Sequence, residues 1–307
     1  MPTLLITHEA CLEHDPGPQH PENPGRLKAV VAQLRTDFPS LDWEQAPLAT
    51  DAQMALAHSQ SLLNALKAGL PVSGRRQFDA DTVLSPRSLD AARAASGAVL
   101  RGIEAVFSGP WDNAFCAVRP PGHHAERDTA MGFCLLNSVA IGALSALSRP
   151  DCQRVAIADF DVHHGNGTQE IFFDDSRVLF LSTHQMPLYP GTGGRDETGA
   201  GNIVNAPLMT GSGSSAFRSA VADTWMPALE AFEPDLLLVS AGFDAHRDDP
   251  LASLNFTEDD YIWITRELKT VAANCCQGRL VSSLEGGYQP DALAASVSAH
   301  VGELSRT

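Results

Sequence analysis

Short apolar, β-branched runs recur along the chain at residues 3–7, 113–118, 154–158, 178–182, 235–240 and 279–282. Between them lie stretches with helical periodicity or helix-forming composition, at 25–34, 59–68, 86–107, 135–147, 214–232, 257–271 and 290–304. Strand runs that are almost continuously apolar and alternate with helices predict a parallel sheet buried on both faces. Ser85-Pro86 and the segment from Thr257 to Asp260 carry helix-start chemistry, a cap or proline followed by an acidic first turn. The expected class is α/β, an open parallel sheet with helices on both faces. No internal repeat, low-complexity tract or long linker interrupts the alternation, so residues 1–307 read as one domain.

Composition narrows the partners. Lys+Arg number 21 against 37 Asp+Glu, a formal net charge of −16. That sign argues against nucleic acid or an anionic membrane, which need a basic surface. It suits a cationic substrate, although acidity also serves solubility. A mean hydropathy of −0.09 fits a globular enzyme, not a membrane protein. No apolar run approaches the ~18 residues of a membrane span, and the segment from Met1 to Thr7 is too short for a signal sequence. Six cysteines (Cys11, Cys116, Cys134, Cys152, Cys275, Cys276) without C-x-x-C spacing read as reduced thiols, which makes the cytoplasm the expected location. A homo-oligomer is compatible with this composition.

Long polar loops follow several strand runs, at 119–133, 160–168, 184–199 and 241–256. Ligands of parallel α/β sheets bind beyond the carboxyl ends of the strands, and loops of this length are uncommon unless functional. Two of them carry histidine doublets. One reads Asp159-Phe160-Asp161-Val162-His163-His164-Gly165-Asn166-Gly167. In extended backbone, residues i, i+2 and i+4 point the same way, so Asp159, Asp161 and His163 share a face. Carboxylates and an imidazole converging there lose solvation at a cost unless a cation joins them. Asp161 and His163 are therefore candidate metal ligands, with Asp244, after 235–240, as the third. Three protein ligands leave a position open for water and substrate, as catalytic zinc sites require. Two oxygen ligands and one nitrogen also suit Fe(II).

The other doublet, His123-His124, sits on a rigid Pro120-Pro121-Gly122 turn, and histidine is the commonest general acid/base. Tyr288 follows Gly286-Gly287, where a phenol can donate to a developing oxyanion. Each motif alone has a plainer reading, as a buried polar cluster, a turn aspartate, a structural histidine or a loop tyrosine. His8, His58, His184, His246 and His300 read as structural or surface residues.

Taken together and in order, these motifs resemble the histone deacetylase and acetylpolyamine amidohydrolase family, in its class II-like bacterial branch, within the arginase-deacetylase fold. The resemblance runs from His20-Pro21-Glu22-Asn23-Pro24-Gly25-Arg26 through 119–125, Gly132-Phe133-Cys134, 159–169 and 241–250 to 285–288. It implies a sheet of about eight strands and a narrow tunnel ending at one zinc ion. The implied reaction is hydrolysis of N-acetyl amides of cationic amines, either acetyl-lysine in peptides and proteins or acetylpolyamines. Carried over residue by residue, Asp161, His163 and Asp244 match the zinc ligands and His123 and His124 the catalytic pair. Tyr288 matches the carbonyl-polarising tyrosine, and Asp159 the carboxylate that orients His123. Gly132 and Phe133 match the tunnel wall, Tyr189 the aromatic opposite, and Asp81 a rim position that holds substrate amides or a cation. A structural potassium ion is implied on carbonyls around Asp159, Asp161, His163, Ser182 and Thr183. Arg26 is expected to brace a loop near the site through backbone carbonyls.

Two positions depart from the nuclear-type pattern. Asn166 replaces an aspartate partner of the second histidine, and Glu285 replaces a glycine. Two other readings compete. A dimanganese ureohydrolase shares the fold, but His246 and His164 stand where that pattern differs, and a second metal needs extra carboxylates. A non-catalytic acyl-lysine binder would be expected to have lost a ligand, a histidine or the tyrosine, and none is missing.

Overall fold

The computed structural model describes residues 2–306. All six apolar runs form strands and two more join them: β1 (Thr3–Thr7), β2 (Asp42–Gln45), β3 (Asn113–Cys116), β4 (Val155–Asp159), β5 (Val178–Gln185), β6 (Ile203–Leu208), β7 (Leu236–Ala241) and β8 (Leu280–Leu284). They pair in parallel as one eight-stranded sheet in the order β2-β1-β3-β8-β7-β4-β5-β6. β3, β8, β7 and β4 are buried at every position, which is why they read as unbroken apolar runs.

The two strands that the hydrophobic pattern misses are the sheet's edges. β2 is Asp-Trp-Glu-Gln, with no residue fully buried. β6 contains Pro207, which a sheet tolerates at an edge because no ladder hydrogen bond is demanded of it there. A separate antiparallel ladder pairs Arg76–Gln77 with Val83–Leu84, and Asp81 lies in the turn between them.

Helices occupy Pro24–Asp37, Gln60–Gly69, Ser88–Ser108, Ser138–Ala146, Glu258–Cys275 and Pro290–Ser305. The fourth starts three residues later than the periodicity suggests because Asn137 caps it, its side chain accepting the Ala140 N–H at 3.0 Å. The expected helix at 214–232 is divided into Ser214–Ala220, a widened turn Val221–Trp225 and Met226–Phe232. Pro227 has no N–H to bond back one turn, and the wider turn absorbs the loss. Three short helices, Ala10–Glu13, Asp51–Ala57 and Asn166–Phe172, were not apparent from the pattern; the third begins inside the expected 160–168 loop. Among the described residues no helix is long and apolar enough to cross a membrane.

Sheet order decides where chemistry collects. β3, β8, β7 and β4 are consecutive neighbours, so the four loops leaving their carboxyl ends open at one place, with the loop after β5 beside them. Those loops hold His123-His124, Tyr288, Asp244, and Asp161 with His163.

Candidate active site

The floor is built from Asp161, His163 and Asp244. β4 ends at Asp159, so strand alternation does not bring the residues together; hydrogen-bonded turns do. The Asp161 N–H donates to Asp159 Oδ1 at 3.1 Å and the His163 N–H to Asp161 Oδ1 at 2.9 Å. From neighbouring loops, the Gly286 N–H donates to Asp161 Oδ2 at 2.9 Å, and Asp244 Oδ1 accepts the Val162 N–H at 2.9 Å. The remaining atoms converge: His163 Nδ1 lies 3.1 Å from Asp161 Oδ1 and 3.2 Å from Asp244 Oδ2. All three candidate ligand atoms fall within 4.8 Å of one another.

Backbone comes unusually close to these carboxylates. A Cβ on Gly242 would sit 2.0 Å from Asp161 Oδ2, and one on Gly286 2.0 Å from Asp244 Oδ2; only glycine fits either place. Burial opposes charge on the imidazole, yet the hydrogen bonds it donates to Asp161 and Asp244 outweigh it and raise His163 to about 10. Burial and the neighbouring Asp161 carboxylate push the Asp244 carboxyl up. Two buried carboxylates sharing one imidazole are the donor set that a divalent cation compensates. These residues fit such an ion.

The two adjacent histidines meet opposite surroundings. His123 Nδ1 donates to Asp159 Oδ2 at 3.0 Å. Burial works against its charged form, but Asp159 and Asp161 overcome this and lift its pKa well above the ordinary histidine value. His124 Nδ1 lies 2.7 Å from Asn166 Oδ1, and Asn166 Nδ2 donates to Glu126 Oε1 at 2.9 Å. That second bond fixes the amide with its oxygen toward the ring, so His124 carries its proton on Nδ1 and leaves Nε2 free. Burial, and then the charges of His123 and His163, push His124 well below its ordinary value. The two rings, with centroids 4.0 Å apart, are thus pushed in opposite directions.

Tyr288 is fixed by its backbone and its ring face. Its N–H donates to Asp249 Oδ2 at 2.6 Å, and the Arg26 guanidinium lies 4.8 Å from the ring centroid. Arg26 also donates to the carbonyls of Glu285 and Gly287, the brace expected of it. Burial drives the phenol well above its ordinary value, so it is a hydrogen-bond donor throughout the working range.

A cavity of about 210 Å³ leads to these groups. His124, His163 and Tyr288 line its inner end; Gly132, Phe133, Tyr189 and Asp81 line its wall and rim. Phe133 and Tyr288 stand edge to face at 5.8 Å, and Tyr189 meets His124 at 5.1 Å. Asp81 Oδ1 accepts the Gly132 N–H at 3.0 Å and the Thr82 hydroxyl at 3.0 Å, so this rim carboxylate also holds the turn that presents Phe133.

The histone deacetylase domain family matches residues 20–304. The chain belongs to the histone deacetylase family. It is 39% identical to a probable deacetylase of Archaeoglobus fulgidus, over 94% of this chain and 82% of that one. It is 35% identical to the histone deacetylase-like amidohydrolase of Pseudomonas aeruginosa, over 93% of this chain and 81% of that one. It spans only 21% of type-2 histone deacetylase 2 of Dictyostelium discoideum, at 36% identity. The crystal structure of the HDA15 HD domain superposes with a TM-score of 0.93 at 37% identity, covering 98% of this chain and 87% of that one. The parallel eight-stranded sheet is therefore the deacetylase fold, and the names of these relatives describe enzymes that hydrolyse acyl amides.

Of the residues expected around potassium, Asp159 on β4 and Ser182 and Thr183 on β5 lie on neighbouring strands, while Asp161 and His163 lie in the loop that follows β4. Asp159 faces Ser182 across β4 and β5, and the Thr183 hydroxyl is buried without a hydrogen-bond partner. Four participants escaped the sequence reading. Leu188 and Leu251 line the cavity; Asp249 holds Tyr288; and Glu126 orients Asn166. A leucine in a polar loop carries no chemical signal, whereas Asp249, next to Pro250 in the loop of Asp244, was visible as a second carboxylate at that strand end.

Proposed function

We propose that this protein is a zinc-dependent deacylase of N-acetyl amides borne by cationic amines, either acetyl-lysine in peptides and proteins or acetylpolyamines. The observation that carries the reading is one cavity lined by His124, His163 and Tyr288, with Asp161 and Asp244 converging on His163 behind it. Asp161, His163 and Asp244 would hold the metal, which supplies Lewis acidity toward the amide carbonyl and acidifies water; Fe(II) suits the same donors.

The chain's own residues do the rest. A linear acyl-amine chain passes between the rings of Phe133 and Tyr189. His124 Nε2, unprotonated because Nδ1–H is committed to Asn166, takes a proton from the attacking water as its oxygen bonds to the carbonyl carbon. The Tyr288 hydroxyl donates to the oxygen that gains charge, and the His123 imidazolium beside Asp159 favours the same negative charge. The proton on His124 Nε2 then passes to the amine nitrogen as the C–N bond breaks, giving acetate and free amine. A structural potassium ion near Asp159, Asp161, His163, Ser182 and Thr183 belongs to this reading. So does a cytoplasmic location, which six unpaired cysteines favour.

The test is a turnover panel on zinc-reconstituted protein with acetyl-lysine peptides, acetylputrescine, acetylspermidine and longer acyl-lysines. At least one acetyl-amine is turned over, chelation abolishes the activity, and zinc restores it. Turnover that survives complete metal removal would overturn the proposal.

A further inference from the structure

We propose that Glu285 is a positioning residue for the histidine pair, clamping the peptide that carries His123 to the loop that carries Tyr288. The inference rests on the deacylase reading above and adds a residue to it.

Glu285 leaves the carboxyl end of β8, and its side chain is buried. Its Oε2 accepts two backbone N–H groups from the loop after β3: Gly122 at 2.6 Å and His123 at 3.2 Å. Pro120 and Pro121 offer no N–H, so Gly122 and His123 are the first amides after Arg119 by which this turn can be held. Glu285 is itself anchored. Its N–H donates to the Ala241 carbonyl at 2.9 Å, and its carbonyl accepts Arg26 Nη2 at 2.6 Å. Three strand ends, those of β3, β7 and β8, are thereby tied through one residue.

Glu285 Oε1 is buried with no hydrogen-bond partner, a cost that stands against what Oε2 gains by accepting two N–H groups an apolar side chain would leave unpaired. What a carboxylate adds is a single oxygen that can receive both amides. The turn they belong to is tight: a Cβ at Gly122 would lie 2.7 Å from the Leu136 carbonyl oxygen. Fixing the Gly122–His123 peptide fixes the root of both imidazoles, and the other ends of the rings are set by Asp159 and Asn166. Remove the clamp and the rings keep their partners but lose their origin.

The test uses the full chain labelled with ¹⁵N-histidine, reconstituted with zinc. Glu285→Ala is expected to keep its metal, lower kcat about 10²-fold and leave KM within about threefold. Its His123 and His124 backbone and ring signals shift, while those of His8 and His246 stay. Glu285→Gln, whose amide oxygen can accept the same two N–H groups, recovers the His123 amide signal and most of the lost kcat. If Glu285→Ala does not fold, Glu285→Asp takes its place, one methylene too short to reach both amides and expected to shift the same signals. Unchanged His123 signals in the Ala or Asp variant, or a Gln variant that behaves like Ala, overturn the proposal. Should the wild-type protein hydrolyse none of the substrates, the deacylase reading fails while the His123 signals still decide the clamp.

Discussion

The floor and the mouth of the cavity are made of different material. At the floor, Asp161, His163, Asp244, His123 and His124 are each held by hydrogen bonds whose partners sit on strand ends, on adjoining turns or, for His124, at the start of the helix Asn166–Phe172. At the mouth, Tyr189 and Leu251 are 37% and 36% exposed and come from the loops after β5 and β7. Chemistry needs reacting groups placed to a fraction of an ångström, and strand ends deliver that. Passage of a flexible chain needs only a slot of the right width. Under the proposed function, the difference would place rate and selectivity in separable parts of the molecule.

The sharpest way to break this division is at the metal. Asp244→Asn keeps the shape but removes the charge that joins Asp161 and His163. Metal content should fall from about one ion per chain to near zero, with turnover reduced more than about 10³-fold, since a Lewis acid supplies several kcal/mol of transition-state stabilisation. Elemental analysis beside an activity assay checks it; a variant with full metal and full turnover would remove Asp244 from the floor. Next in size is Tyr288→Phe. Arg26 can still stack on the ring and Asp249 still holds the N–H, so the fold and metal content should persist while kcat drops about 10²- to 10³-fold, the usual worth of one oxyanion donor.

The mouth should respond differently. Tyr189→Ala removes one ring of the slot and should raise KM about tenfold, the order expected for lost apolar contact with a substrate chain, while kcat changes less than about threefold. Steady-state kinetics on one acetyl-lysine peptide suffices. If kcat fell as far as in Tyr288→Phe, the aromatic wall would belong to the floor and the separation would fail.

The same contrast governs what could be read from the amino-acid sequence. Buried central strands announce themselves as apolar runs, and the residues just beyond them are rich in histidine, aspartate and glycine, so Asp161, His163, His123 and Tyr288 stood out. The edges β2 and β6 did not, because a half-exposed strand has no apolar signature and Pro207 argues against one. Glu285 stood out as an oddity, but the two N–H groups that donate to it lie more than 160 residues away in the chain, and no local pattern encodes that pairing. Leu188 and Leu251 became visible only once the loops were folded around the cavity. Asn166 shows a middle case: its departure was legible, while the Glu126 bond that orients its amide was not.

The smallest effect concerns how firmly the floor is propped from behind. His58 is buried; its Nε2 accepts the Asn137 N–H at 2.8 Å, so its Nδ1–H donates to the Glu126 carbonyl at 2.9 Å. Glu126 orients Asn166, and Asn166 orients His124, so a line of hydrogen bonds runs from His58 to the candidate base. Burial lowers His58 from 6.5 to about 4. In the unfolded chain the imidazole takes its proton near pH 6.5, whereas in the folded protein it resists until about pH 4. The unfolded state therefore binds more protons across that window. Stability from this residue is complete above pH 6.5, declines as pH falls towards 4, and levels off below. At 1.36 kcal/mol per unit the loss amounts to about 3 kcal/mol. Protonation also costs the Asn137 N–H its acceptor, so the decline and the loosening of His124 share one cause. Denaturant unfolding of wild type and His58→Gln between pH 7.5 and pH 4 isolates the contribution, because glutamine can make both bonds without titrating. The wild type should lose about 3 kcal/mol more than the variant over that range; parallel pH profiles would mean that the prop behind His124 is not protonation-sensitive, and the floor would owe its rigidity to the strand ends alone.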